Sequence, residues 1–473
     1  MLASQINRIE RKWWVLIAIG ISTFMSALDT SVVNTVLPVV NSSFKSNIAT
    51  IEWVVIIYLL GVSGLLLSFG RLGDLRGHRP IFLMGFIAFI GSSMLCGLAQ
   101  SAWALVAFRG LQALGAAMLS ANSPAILTKS FPDNQRGQAL GMQATMTYLG
   151  LTVGPSLGGW LTDQYSWRAV FFINIPVGLM ALLLSFIFVP HDEGKKQVER
   201  FDVLGAVFFL AGLIALLLGL NQGQTWGWTS MPIVSLLLGA VILLGIFVRI
   251  ELRVPDPMLD LSLFSRRLFS SSVASAIFNY ICVYSIMFLM PFYLIQGRQF
   301  SPSYAGLILS AMPITMAVVA PISGTLSDRI GARLPSTLGM IILGIGLFLF
   351  SRLSPQSAMK DIVLAMVTAG LGIGIFISPN NSALMGSAPR HRQGIAAGML
   401  ATARNVGMVL GVGFSGAIFT TILAQQIEPT VGLYTAVRAA FFAAIGVALL
   451  GALTSAIRGS NQIGEEKHAA LTT

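Results

Sequence analysis

Two ionisable residues stand inside long apolar runs, where charge is costly. Asp29 falls within the run from Trp13 to Val39, and Arg109 within another that begins near Trp103. A charged side chain near a bilayer centre costs at least ~2.5 kcal/mol even on lenient insertion scales, so each needs a partner or a purpose. Counted at 1.5 Å per residue, Asp29 lies about 15 Å from the Val39 end of its run and Arg109 about 9 Å from the Trp103 end of its own. Ser22, Ser26 and Asp29 are four and three residues apart, which draws a polar stripe along one helix face. Burial favours the neutral carboxyl, whereas a neighbouring guanidinium favours the carboxylate. An Arg109 that approaches and withdraws would therefore switch Asp29 between proton acceptor and proton donor. The rival is a permanent Asp29–Arg109 ion pair that only holds the helices together.

Other polar residues extend the candidate chemistry. Glu52, beside Trp53, reads either as a surface acid or as a second acid in an outward vestibule that collects protons or attracts cations. Arg404 lies about ten residues into its apolar run with no acid within the neighbouring runs, while Arg438 is close enough to an end to snorkel. Asn34, Tyr58, Asn122, Gln143, Tyr148, Asn279, Tyr280, Tyr284, Asn380 and Asn381 fall at mid-run positions. Each either lines a cavity or hydrogen-bonds a neighbouring helix. Together with 20 Met and 29 Phe they suit an adaptable apolar pocket better than a sugar site. No nucleophile with its base, metal-ligand cluster or nucleotide loop is visible, so neither an enzyme nor a metal or cofactor is expected. His78, His191, His391 and His468 read as loop or tail residues, and Cys96 and Cys282 lie in apolar runs with no disulfide framework.

The elements that must position these residues follow from composition. The 473 residues are 55% hydrophobic and 10% charged, against about a quarter charged in an ordinary soluble domain. That excludes a soluble globule and predicts an all-α membrane protein. Apolar stretches bounded by charges or turn residues give fourteen spans, beginning near residues 13, 51, 80, 103, 137, 169, 202, 231, 268, 304, 335, 361, 394 and 433. The first is too long for a cleavable signal and carries an Asp. With both termini cytoplasmic, 21 of the 29 Lys and Arg fall on inside flanks, five in outside loops and three within spans. This bias fixes the orientation and accounts for the net charge of +11 without nucleic acid. The eight Trp sit near span ends, as interface anchors do.

An internal repeat organises the spans. Gly70-Arg-Leu-Gly-Asp74-Leu-Arg76-Gly77-His-Arg79 and Gly324-Thr-Leu-Ser-Asp328-Arg-Ile-Gly331-Ala-Arg333 share G-x-L-x-D-x-x-G-x-R at an offset of 254. Gly137, Gly141, Gly150 and Gly154 match Gly394, Gly398, Gly407 and Gly411 at an offset of 257. Two independent matches at nearly one offset indicate two six-helix halves in the same orientation, with two further spans between them. Small residues four apart allow close helix approach. The repeated Asp and Arg at helix ends would act as a latch between states, or merely as positive-inside anchors.

On these residues the chain resembles the major facilitator superfamily, and within it the fourteen-helix drug:proton antiporters. The Gly70–Arg79 loop is similar to the superfamily motif between helices 2 and 3. Arg109-Gly-Leu-Gln112-Ala113 resembles the helix 4 motif, with Ala113 in place of Gly. Gly150-Leu-Thr-Val-Gly154-Pro155-Ser-Leu-Gly158-Gly159 resembles the helix 5 motif of antiporters, and Arg404-Asn405-x-Gly407 the helix 11 pattern. Leu28-Asp29-Thr30-Ser31-Val32-Val33-Asn34-Thr35-Val36-Leu37-Pro38 resembles the helix 1 motif of the fourteen-helix branch, with Val36 in the Ala position. Pro155 has no counterpart at Val412, so the helix 5 feature belongs to the first half only.

The resemblance implies a six-helix bundle over residues 1–200, two added helices over 201–267 and a second bundle over 268–473. It further implies a monomeric transporter in the inner (plasma) membrane, whose partners are the bilayer and a small-molecule substrate. Its expected activity is export of amphipathic or hydrophobic compounds by alternating access, coupled to one proton through Asp29, Arg109 and Glu52. Gating would fall to Gly70, Asp74, Arg76, Gly77, Arg79, Gly150, Gly154, Pro155, Asp328, Arg333 and Arg404. Export of an anionic metabolite or lipid is the alternative, and a non-transporting sensor or structural protein the second.

Overall fold

In a computed structural model, residues 2–132, 135–191, 202–254, 261–387, 393–425 and 429–458 are described, and among them all regular structure is helical. The order is α1 (Leu2–Phe44), α2 (Ile48–Arg76), α3 (His78–Gly97), α4 (Ala102–Ser130), α5 (Arg136–Gln164), α6 (Ala169–Phe172), α7 (Asn174–Phe188), α8 (Val203–Trp226) and α9 (Met231–Glu251). There follow α10 (Arg267–Pro291), α11 (Pro302–Leu309), α12 (Ala311–Ile330), α13 (Arg333–Ser351), α14 (Met359–Ser387), α15 (Gln393–Ala424) and α16 (Pro429–Ala456). Among the described residues, 13 helical segments are long and apolar enough to cross a membrane. The fifth expected span is the exception. α5 has the length, 29 residues, but Gln138, Gln143, Thr145, Thr147 and Thr152 dilute its apolar character.

Local sequence sets the helix ends. Asn47 caps α2 by accepting from Thr50 N at 2.7 Å, and Ser101 caps α4 from Ala104 N at 3.2 Å. Ser301 does the same for α11, whose first residue is Pro302. Pro291 closes the α-helical part of α10, and the chain runs on as a π-helix over Phe292–Gly297.

The chain divides into two compact units, one of Met1–Met258 with Met290–Ser310 and one of Leu259–Leu289 with Ala311–Thr473. In the first, α1 packs on α5, α3 on α4, α2 on α4, and α8 on α9 and α2. In the second, α14 packs on α12 and α13, and α16 on α13 and α15.

Glycine contacts align the two repeats residue by residue. On α5, a Cβ at Gly150 would meet Phe24 O at 2.6 Å and Ala27 Cβ at 2.9 Å, and one at Gly154 would meet Ser31 and Leu28 O. On α15, Gly407 meets Ile277 O and Tyr280 Cβ, and Gly411 meets Ile281 O and Tyr284 Cβ. The partners on α1 and α10 are thus related by one constant offset of 253. Gly115 packs on Gly85 and Phe89, just as Gly372 packs on Gly339 and Leu343. These contacts bring helix backbones together without an intervening side chain.

The repeated loop has its own requirement. Gly77 and Gly331, equivalent in the motif, adopt φ of 94° and 81°. Both lie in the left-handed half of backbone space, where a Cβ is disfavoured.

Candidate functional site

Asp29 and Arg109 meet in the interior of the first unit. Arg109 Nη1 donates to Asp29 Oδ2 at 2.6 Å, and the side chains are 0% exposed at Asp29 and 1% at Arg109. Asp29 Oδ1 accepts from Asn174 Nδ2 at 2.8 Å and from Gln112 Nε2 at 3.1 Å. Both amides also donate to Ser93 Oγ, which passes its own proton to Phe171 O at 3.0 Å. Arg109 further donates to Gln112 Oε1 at 2.6 Å and to Val54 O at 3.2 Å, and its guanidinium lies 3.9 Å from the Tyr58 ring centre. α1, α2, α3, α4 and α7 therefore all contribute to one buried polar centre. Charge this deep survives only when paired and hydrogen-bonded, and here the carboxylate receives three donors.

The second repeat shows what the fold does without that centre. By the glycine register, Asp29 corresponds to Cys282, Ser93 to Leu347, Arg109 to Met366 and Gln112 to Ala369. All four counterparts are fully buried. The same helix packing is thus built once around an ion pair and once around apolar side chains. Cys282 donates weakly to Ala444 O on α16 at 3.7 Å. The second repeat packs the equivalent positions without charge.

The remaining candidates scatter. Glu52 is fully buried at the start of α2, which corrects the bland expectation of a surface acid; burial of Trp53 and Ile51 beside it places this turn inside the unit. His78 is not a loop residue but the first of α3, buried, with Nδ1 2.8 Å from Asn122 Oδ1. Asn122 also donates to Met118 O and Phe69 O, so it ties α4 to α2 and α3. Asn34 donates to Thr30 O within its own helix, and half-buried Gln143 to Thr23 Oγ1 at 3.2 Å. Tyr148 is half-buried on α5, and Asn381 on α14.

In the loop motif Gly70 is half-buried, Gly77 and Arg79 are buried, and Arg76 and Arg333 are exposed. Arg79 reaches His191 and donates to Phe186 O at 2.7 Å. The side chains of Asp74 and Asp328 lie outside those described. Pro155 is buried, and its carbonyl abuts Gly306 on α11.

In the second unit Asn380 accepts from Arg458 Nη2 and donates to Ser272 O at 3.1 Å. Arg458 also donates to Ser336 Oγ at 3.3 Å, and its burial beyond the end of α16 pulls its pKa down to about 10. Arg404, half-buried, lies on the same face of α15 as Gly407 and Gly411, against which Tyr280 and Tyr284 pack. Ser93, Asn174 and Arg458 are absent from the sequence candidates. The first two are single uncharged residues in apolar runs, and Arg458 looks like one more anchor at a span end.

Known proteins agree with this architecture. Two matches to the family model described as Major Facilitator Superfamily cover residues 19–412 and 272–462. The chain is 34% identical over 415 residues to the riboflavin transporter RibZ of Clostridioides difficile, covering 88% of this chain and 90% of that one. It is 32% identical to the multidrug resistance protein Stp of Mycobacterium tuberculosis, covering 88% and 77%. To the tetracenomycin C resistance and export protein of Streptomyces glaucescens it is 30% identical, covering 87% and 76%. Among solved structures, the inward-facing bacterial homologue of the human lysosomal transporter Spinster superposes with a TM-score of 0.68 at 15% identity, over 95% of this chain and 97% of that chain. Regular structure that is all helical among the described residues, built twice on one glycine register, and a family match along most of the sequence lead to one conclusion: the chain is a multi-pass membrane transporter that belongs to the Major Facilitator Superfamily.

Proposed function

We propose that this transporter is a proton-coupled antiporter that exports amphipathic or hydrophobic small molecules, drug-like compounds included, by alternating access. The observation that carries the reading is the Asp29 centre: charged in one repeat, apolar in the other, and therefore unnecessary for packing. Protonation of Asp29 would cost it the Arg109 bond and free the guanidinium for its remaining partners, Gln112 and the Val54 carbonyl. The proton and the ion pair thus compete for one carboxylate. Fourteen spans, cytoplasmic termini, a monomer in the plasma membrane and a latch at the repeated loops belong to the same proposal. The excess of Lys and Arg on one set of loops supports the orientation. Relatives named for multidrug resistance and for antibiotic export support the substrate class.

A second reading, export of a flavin or another acceptor-rich or anionic metabolite, is favoured by the riboflavin transporter relative and by Arg404.

The test is uptake into inverted vesicles under an imposed pH gradient, with ethidium as the cation, riboflavin as the neutral compound and fluorescein as the anion. Exchange of one proton for one monovalent cation moves no net charge, so ethidium uptake should follow the pH difference and ignore the voltage. Asp29→Asn should abolish it. Undiminished proton-driven transport by that variant removes Asp29 from the mechanism, and accumulation of the anion alone overturns the drug-exporter reading.

A further inference from the structure

Arg109, Arg458 and Arg404, all at least half-buried, are held in different ways. Arg109 has a carboxylate and two carbonyl acceptors, and Arg458 has Asn380 and Ser336. Arg404 differs. It lies 11 residues into α15, about 16 Å from that helix's start at Gln393. Its Nε is buried and has no hydrogen-bond partner among the described residues. No described acid of this unit can neutralise it either: the one whose side chain is described, Asp361, is exposed in the first turn of α14.

On the facing helix, Tyr280 and Tyr284 are one turn apart, their Cβ atoms seated over Gly407 and Gly411. Arg404 falls on the same face of α15 as these glycines, one turn before Gly407. It is close enough to both phenols to act on them electrostatically. A strong cationic donor and two tyrosines thus share one face of the contact between α10 and α15. A guanidinium recognises a planar oxyanion, and tyrosine faces recognise a flat aromatic body.

We propose that Arg404, Tyr280 and Tyr284 form a substrate subsite in the second unit that takes a carboxylate borne on an aromatic, amphipathic molecule. The subsite rests on the exporter reading for its role as a cargo site. It makes the Asp29 centre and the Arg404 centre different in kind: in the first the acid is built in, and in the second the cargo supplies it. Drugs lacking a carboxylate would still stack on the tyrosines and would gain less.

The experiment uses the full chain in lipid nanodiscs and two dyes that differ at one group: rhodamine 110, which carries a free carboxylate, and rhodamine 123, its methyl ester. Fluorescence anisotropy gives a Kd for each at neutral pH, and the readout is their ratio, in which partitioning into lipid cancels between wild type and variant. Wild type should favour the acid, and Arg404→Gln should shrink the preference by about ten-fold, the usual scale for loss of one charged hydrogen bond. Arg404→Lys should restore part of it. Met408→Glu, which leaves Arg404 in place but supplies a carboxylate one turn on along the same helix face, should abolish the preference by self-neutralisation. This keeps the proposal open to refutation should Arg404→Gln fail to fold.

A wild type without preference for the acid, absence of binding included, overturns the proposal, as does an unchanged ratio in folded Arg404→Gln or Met408→Glu. Proton-driven dye transport is measured in parallel on the same protein. Equal ratios with intact pH-driven export refute the subsite and leave the exporter, whereas a preserved preference without pH-driven export refutes the exporter and leaves the subsite.

Discussion

Asp29 and Cys282 occupy one position in two repeats. Each lies on the first helix of its repeat, next to the residue on which a glycine of α5 or α15 rests, and each is completely buried. Asp29 turns to Arg109, Gln112 and Asn174; Cys282 turns to the carbonyl of Ala444. One architecture therefore contains its own control for what the charge contributes.

That control can be carried out by mutation. Asp29→Cys alone leaves the Arg109 guanidinium buried without its carboxylate and should destabilise the protein by about 3–5 kcal/mol. Asp29→Cys combined with Arg109→Met installs the pair found in the second repeat. Gln112 and Asn174 keep Ser93, so the double variant should recover to within about 2 kcal/mol of wild type while losing proton-driven transport. Thermal unfolding in detergent and a vesicle assay check the two halves. A double variant as unstable as the single one would mean that the ion pair is structural.

The loop glycines give a purely backbone prediction. Gly331 has φ of 81° and nothing within 4 Å of where an added methyl group would sit, so Gly331→Ala meets no steric clash and feels only the left-handed backbone. Its cost should be about 1–2 kcal/mol. Gly77→Ala, at φ of 94°, should cost about as much from the same source. Equal melting temperatures for Gly331→Ala and wild type would refute the assignment of backbone strain.

Helix contact predicts a graded series. Gly154→Val would drive its side chain into Ser31, and Gly411→Val into the Ile281 carbonyl and Tyr284. Each should cost about 1–3 kcal/mol by overpacking. Gly91→Ala, with open space around it, should lie within about 0.5 kcal/mol of wild type. The order of the three unfolding midpoints is the measurement, and a Gly91 variant as damaged as the Gly154 variant would contradict close packing as the cause.

Much of this was legible in the amino acids because cost is legible. An Asp and an Arg inside apolar runs are rare enough to be noticed, and their similar depth already suggested that they meet. The repeat was visible for a similar reason, since glycines at fixed spacing mark backbone contacts. Ser93 and Asn174 escaped because one uncharged polar residue costs little in a long apolar helix and carries no spacing signal. Glu52 stayed open between a surface acid and a buried one because a position next to an end Trp says nothing about which face of the helix turns inward, and its burial removes the surface reading. α5 has the length of a span and the place of one in the repeat, yet its polar residues lower the very signal by which spans are recognised.

Arg458 is the clearest residue that pattern alone would pass over, and it supports the last prediction. It follows α16, where an arginine reads as a headgroup anchor, but it is 2% exposed and donates to Asn380 and Ser336. Asn380 in turn donates to Ser272 O on α10, so one amide links the chain after α16 to α10 and α14. Arg458→Ala removes the donor and leaves the buried Asn380 oxygen unsatisfied, at about 1–3 kcal/mol. Asn380→Leu leaves the arginine with Ser336 alone and also removes the side-chain donor to the Ser272 carbonyl, so it should cost more. The double variant Arg458→Ala with Asn380→Leu should cost less than the two losses added, because the shared bond is counted once. Unfolding midpoints for the four proteins close the cycle, and strict additivity would show that the bond carries no coupling energy.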